Sequence, residues 1–258
     1  MPAERLLRGG TANRGLVVRV GDTVRRPRRA TSEATHSLLR FLHDVGFDGA
    51  PRFLGVDDQG REVLSYVSGE AVTPPYPKWA LTGEALDSVA SLLRRYHEAV
   101  EGFDPSPYAW PSSPPPEYGG GLVSHNDTNL DNVVFRSGRA VALIDFDLAS
   151  PGSRLWDVAT TARLWSPLRG EDDVTDPRRG WSLQRFRRLV AAYDGDFDPH
   201  VLVGAVRDNH DWLYSIVRAG AEEGNPGFTD YWNEVSSRVA RTRRWLATSE
   251  QLLVDALT

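Results

Sequence analysis

Residues 123–135 read VSHNDTNLDNVVF, with one His, two Asp and three Asn in thirteen positions. The end of one apolar segment precedes this stretch, and a second, VVF, runs out of it. Asn and Asp favour turns because their side chains bond their own backbone. A turn this polar between two segments destined for burial must either satisfy its groups internally or present them to a ligand.

A second signal lies close by. The strand VALI (141–144) ends in Asp145, thirteen residues after Asn132, and Phe146 and Asp147 follow. The short turn RSGR (136–139) between VVF and AVALI predicts a hairpin. Pairing those strands brings Asp145 toward His125, Asp127 and Asn132. Two carboxylates and an amide oxygen form a hard-oxygen set suited to Mg²⁺ and phosphates. A carboxylate left off the metal can orient an attacking hydroxyl, so the set has the parts of phosphoryl transfer.

His125-Asn-Asp127-(four residues)-Asn132 resembles the catalytic loop H-x-D-x-x-x-x-N of protein-kinase-like phosphotransferases, and Ile144-Asp145-Phe146-Asp147 resembles their metal-binding D-F-G segment. Asp147 stands where protein kinases have Gly. LWDVA (155–159) is similar to the Asp-containing helix start that follows in small-molecule kinases. The match is strongest to the aminoglycoside phosphotransferase family, with its choline kinase-like relatives. It is specific at 123–147, moderate over 1–100 and weak after 165.

The resemblance implies an α+β, two-lobed, protein-kinase-like fold, with a nucleotide-binding lobe at 1–68 and a mainly helical catalytic and substrate-binding lobe at 69–258. It implies ATP and Mg²⁺ as cofactors. Asp127 would be the base or orienting carboxylate, His125 a supporting residue, and Asn132 and Asp145 the metal ligands. Gly9 and Gly10 in RGGTANRG would cover the phosphates. Ser65, Tyr66 and Val67 would form the hinge beside adenine. Asp157 would bond backbone amides of the catalytic loop.

The N-terminal pattern supports the smaller lobe. GLVVRVG (15–21) alternates, and TVRR follows a Gly-Asp turn, predicting a hairpin. Thr31 or Ser32 caps a predicted helix carrying Leu38, Leu39, Leu42 and Val45. Two strands then flank the turn Asp57–Gly60. SGEAVTPPYPKW (68–79) reads as a connector, and beyond it helices dominate. Val89, Leu92, Leu93, Tyr96 and Val100 share one helical face. Six prolines in 103–121 predict a long surface loop.

Composition narrows the classes. The 258 residues contain no Cys, which removes disulfides, thiolate metal sites and a Cys nucleophile. A net charge of −5 disfavours a nucleic-acid partner. No stretch suits a signal peptide or a membrane span, so the expected protein is cytoplasmic, with a small-molecule hydroxyl acceptor as partner. A zinc hydrolase built on His125 and Asp127 lacks enough nearby ligands. The pattern leaves oligomeric state open.

One departure stands out. Lys78 is the only lysine, and it falls past the hinge. The strand lysine that grips phosphate in kinases is therefore missing. Arg25 or Arg26 would replace it, and because strand side chains alternate only one of them can face the cleft. Glu33 is the candidate helix partner. A catalytically weak or inactive nucleotide-binding protein is the alternative function. For the acceptor, Asp208, Asp211, Glu222 and Glu223, together with Asp147, are the substrate-side candidates. They would suit an aminoglycoside-like, amino-sugar or amino-alcohol acceptor, although a solvated helix face accounts for the same acids.

Overall fold

The computed structural model describes residues 3–7 and 15–258. The N-terminal part is one antiparallel sheet of β1 (Glu4–Leu6), β2 (Val18–Val20), β3 (Thr23–Arg26), β4 (Phe53–Val56) and β5 (Glu62–Ser65), in the order β1-β2-β3-β5-β4. The chain places α1 (Ser32–Asp44) between β3 and β4. This is the expected strand-strand-helix-strand-strand order with one addition. β1 is an exposed three-residue edge strand, too short to show alternation. Val20 pairs with Thr23 across a two-residue turn in which Gly21 takes φ +59°.

Helix α1 docks on the sheet through buried Leu38, Leu39 and Leu42, and His36 stacks on Phe53 at 3.8 Å. Val45 does not join that face. The helix stops at Asp44, and Gly46 turns left-handed at φ +80°. The Phe47 N–H then bonds the Leu42 carbonyl and the Gly46 N–H bonds the His43 carbonyl. This is a Schellman-type stop, and it puts Phe47 rather than Val45 into the core. Asp57 closes the β4–β5 turn by accepting the N–H groups of Gln59 and Arg61.

Beyond the connector, α2 (Gly83–Ala99) is the spine of the larger part, with Val89, Leu92, Leu93 and Tyr96 buried and Val100 beside them. β6 (Glu70–Ala71), β8 (Val133–Arg136) and β9 (Arg139–Leu143) form a three-stranded sheet, while β7 (Leu122–Ser124) pairs with β10 (Ser150–Gly152). The β8–β9 turn has Ser137 and Gly138 both at positive φ, 51° and 74°, the twist that two-residue hairpins favour. Five helices complete the chain: α3 (Arg154–Trp165), α4 (Ser182–Tyr193), α5 (Pro199–Glu222), α6 (Pro226–Thr248) and α7 (Glu250–Asp255). Side chains of Ser153, Asp198 and Asn225 cap α3, α5 and α6.

The proline-rich segment 103–121 is more than surface. Phe103 and Tyr118 are buried, Phe103 stacks on Tyr108, and Trp110 meets both edge-on. Aromatic packing gives this irregular chain a core of its own. Among the described residues no helix is long and apolar enough to cross a membrane.

Candidate active site

The site is assembled by two turns that meet. The Ile144 N–H bonds the Asn132 carbonyl at 2.9 Å, so the chain leaving β9 is tied to the turn entering β8. The Tyr96 hydroxyl donates to the Val123 carbonyl at 3.0 Å, fixing β7 to α2. Between these anchors lies the stretch 125–132.

Asp157, in the first turn of α3, holds that stretch. Its carboxylate accepts the N–H of His125 at 2.7 Å and of Asn126 at 2.9 Å, and it faces His97 Nε2 at 3.0 Å. Burial alone would raise its pKa, but the hydrogen bond and charge of His97 and the contacts to His125 outweigh it and hold the carboxyl below its ordinary value. The sequence pointed to Asp157 as an amide anchor; His97 and Tyr193, bonded to each other at 2.8 Å, complete the support.

Asn126 pays for its place with a left-handed backbone at φ +65°. Its amide nitrogen donates to the Leu148 carbonyl and to Ser150 Oγ, both at 2.8 Å. Asn129 caps the N–H of Leu130. Both side chains therefore hold the turn together. His125 is fully buried. Its Nδ1 accepts the Asp127 N–H at 3.3 Å, so Nε2 carries the proton that bonds the Ile144 carbonyl at 3.1 Å. Burial pushes this imidazole down to about 4, which keeps it neutral.

Asp127 is walled in by protein yet keeps a partly accessible surface. Asn132 Nδ2 donates to its carbonyl at 3.0 Å and to its Oδ2 at 2.8 Å. Burial, then the charges of Asp145 and Asp131, push its carboxyl up to about 8 against the opposing pull of Arg163 and Asn132. With Nδ2 committed, Asn132 Oδ1 is the hard oxygen this side chain has left to offer.

Asp145 adopts φ +62°, and Phe146 beside it is buried against His125 at 4.5 Å. Arg26 on β3 reaches across to this segment. Its Nη1 meets Asp145 Oδ1 at 2.8 Å and its Nη2 meets Asp147 Oδ1 at 2.9 Å, while Nε bonds Glu62. Burial opposes its charge, but Asp147, Asp145 and Glu62 together hold the guanidinium more firmly protonated than usual. Arg29 adds a 2.7 Å contact to Asp147. Arg25, one residue earlier, turns the other way to Asp57 at 3.3 Å. Of the two candidates, Arg26 is the one in the cleft.

The expected pairing to Glu33 is not made: Glu33 is exposed and meets Arg40. Glu62 takes that place because it lies directly opposite Arg26 in the β3–β5 register, and α1 contributes His36, 2.6 Å from Glu62, instead. The sequence lacked only the register needed to find Glu62.

Two of the three hinge candidates use their N–H groups within the fold. The Ser65 N–H bonds the Arg52 carbonyl and the Tyr66 N–H bonds the Asp22 carbonyl, so of the three only Val67 has an N–H outside such bonds among the described residues. The Arg19 guanidinium covers the Tyr66 ring at 3.6 Å. Gly9 and Gly10 lie outside the described residues. The helical acids do not gather at Asp127. Asp208 accepts from the Tyr118 hydroxyl at 2.7 Å, Asp211 pairs with Arg243 at 2.8 Å, Glu222 pairs with Arg218, and Glu223 is the exposed C-cap of α5. No three His, Cys, Asp or Glu side chains among the described residues converge as a metal cage. A metal here needs the Asn132 amide and substrate phosphates as partners, as Mg²⁺ sites commonly do.

A two-lobed fold with this loop, this Asp-Phe-Asp segment and a strand cation between them is protein-kinase-like. Residues 107–193 match the family model of the phosphotransferase enzyme family (APH). The chain is 38% identical, over the full length of both proteins, to the trifolitoxin immunity protein of Rhizobium leguminosarum bv. trifolii. Among solved structures it is similar to a choline/ethanolamine kinase family protein from Mesorhizobium loti (TM-score 0.66, 17% identity, 99% of this chain and 92% of that one). It is also similar to the choline kinase LicA from Streptococcus pneumoniae (TM-score 0.62, 14% identity, 95% and 94%). The gentamicin complex of the phosphotransferase APH(2″)-IIa follows (TM-score 0.59, 14% identity, 95% and 93%). The chain belongs to the phosphotransferase enzyme family.

Proposed function

We propose that this enzyme moves the γ-phosphoryl group of ATP to a hydroxyl of a small molecule, with Asp127 as the residue that receives the acceptor proton. The observation that carries the reading is Asp127 itself, oriented by Asn132 and raised to about 8 by its surroundings, close to the operating range of a general base. In the step, the acceptor oxygen bonds to Pγ as the bond from Pγ to the β–γ bridging oxygen breaks. The hydroxyl proton passes to Asp127 and the nucleoside diphosphate leaves.

Residues 1–68 serve as the nucleotide lobe and 69–258 as the catalytic and substrate lobe. Asn132 Oδ1 and Asp145, with Asp147 beside them, would hold Mg²⁺, which supplies charge neutralisation at the phosphates. Arg26 takes the part of the missing lysine, and its forked guanidinium suits phosphate oxygens. ATP is favoured as donor by the resemblance, and the structural likenesses include proteins solved with ADP, with GDP and with ATP. Nothing in the comparisons favours an inactive member of the fold. The 38% identity to an immunity protein supports a protective role, in which the phosphorylated compound is one harmful to the cell.

Two measurements test this. ATP with Mg²⁺ raises the melting temperature, and Asp127→Asn abolishes phosphoryl transfer while keeping that rise. A protein whose melting temperature ignores ATP–Mg²⁺ at every concentration, or an Asp127→Asn variant that still phosphorylates, overturns the reading.

A further inference from the structure

On the helical side of Asp127, three arginines come from α3, from the segment after it and from α6. Arg163, on α3, lies within charge-interaction range of Asp127. Thr161 and Trp165, two residues to either side, bond Thr128 next to Asp127. The Arg163 side chain is more than nine-tenths buried. Its Nε donates to Asn209 Oδ1 at 3.0 Å, and Asn209 in turn donates to Thr160 Oγ1 at 2.6 Å. The guanidinium is thus fixed in place while its Nη2 is left buried without an acceptor.

Two further arginines share this neighbourhood. Arg163 sits 5.9 Å from the centre of the Tyr214 ring. The charge fields of Tyr214 and Arg238 both reach Arg169, and Tyr231, hydrogen-bonded to Tyr214, feels Arg238 and Arg163. Arg169 has a buried Nε with no acceptor, and burial and the like charges of Arg238 and Arg178 push its pKa down. None of Arg163, Arg169 and Arg238 has a carboxylate within ion-pair distance among the described residues. The acids nearby are taken: Asp176 is bound to Arg178, and Asp173, which also feels Arg169 and Arg238, is bound to Arg241. Continuity with the site runs through Asp131, which acts on both Asp127 and Tyr76, while Tyr76 also feels Arg169.

Gathering three guanidiniums, two of them with a buried and unmet donor, costs free energy unless something anionic completes them. We propose that the acceptor carries an oxyanion, a carboxylate or phosphate ester, besides the hydroxyl that is phosphorylated, and that Arg163, Arg169 and Arg238 hold that group beside Tyr214 and Tyr231. This rests on the phosphotransferase reading above and replaces the amine acceptor that the helical acids suggested, since Asp208, Asp211 and Glu222 have other partners and Glu223 is an exposed C-cap. Guanidinium forks match both oxyanions geometrically.

The experiment has two arms. In the first, protein saturated with a non-hydrolysable ATP analogue and Mg²⁺ is titrated with inorganic phosphate, sulfate or acetate against chloride at equal ionic strength. The expected result is a saturable rise in melting temperature that Arg169→Met/Arg238→Met loses. No rise above the chloride control, or an equal rise in the double variant, overturns the proposal. If the nucleotide alone gives no shift, the phosphotransferase reading fails instead, and the oxyanion titration is read without it.

The second arm compares hydroxy acids with their own primary amides, and hydroxylated phosphate esters with the parent alcohols, by nucleoside diphosphate release. The expected result is that the anionic member of one set wins by about tenfold or more in kcat/KM. That preference collapses in the double variant through KM rather than kcat. The winning set tells carboxylate from phosphate. Turnover confined to amine or neutral acceptors, with KM unmoved in the variant, overturns the proposal and leaves the phosphotransferase standing.

Discussion

At the scale of single residues, the site trades stability for chemistry. Asp127 holds its proton up to about pH 8 in the folded chain against an ordinary value of 3.8. Between those values the unfolded chain is ionised and the folded chain is not, so this residue subtracts from stability progressively as pH rises through the window. Without nucleotide or metal, Asp127→Asn is therefore expected to be more stable than the parent. The gap should widen from pH 4 to pH 8 and then level, as followed by urea unfolding. Arg26 is the reverse case. Arg26→Met leaves Glu62 buried with one partner fewer, and losing half of such a network typically costs about 3–5 kcal/mol. Arg26→Lys should recover only part of this in the same assay, because an ammonium cannot fork to three carboxylates. While the roles proposed for Asp127, Asn132 and Asp145 came from the resemblance, their meeting was legible from the hairpin between them. The choice of Arg26 over Arg25, and of Glu62 over Glu33, was not, because each depends on strand register and on which face β3 turns to the cleft.

At the scale of elements, the turn 125–132 takes its shape from α3. Asp157 presents one carboxylate to two amides and a histidine, so the loop is set by a helix that follows it in the chain by some thirty residues. Asp157→Asn keeps the volume but supplies one acceptor oxygen where two are needed. The expected outcome is a fall in kcat of about tenfold or more with nucleotide binding kept, measured by steady-state kinetics beside ATP–Mg²⁺ thermal shifts. A cap gives a milder, purely structural contrast. Asp198 accepts the N–H groups of His200 and Val201 at the start of α5. Asp198→Ala should cost about 1 kcal/mol of unfolding free energy and leave KM unchanged. The helices were visible because their apolar spacing is regular. The three-residue β1 and the aromatic packing within 103–121 were hidden, since edge pairing and irregular chain leave no periodic trace.

At the scale of the whole molecule, acid tolerance is bounded by buried histidines. Burial, with Arg163 second, pushes His210 down to about 4, and His125 is held equally low. The unfolded chain takes up these protons near pH 6.5 and the folded chain only near 4, so stability drains away as pH falls through that window. His210→Gln should unfold with a shallower acid dependence between pH 6.5 and 4 than the parent. Its advantage at pH 4 is on the order of 3 kcal/mol, before any loss from the changed side chain. The two-lobed architecture was readable from element order, but what joins the lobes was not. Arg26 spans from β3 to Asp145 and Asp147, so the two carboxylates proposed beside a divalent ion also tie the smaller lobe to the larger one. On the proposed reading, taking up a divalent ion would require Arg26 to give up Asp145 and Asp147, which would free its guanidinium for the phosphates.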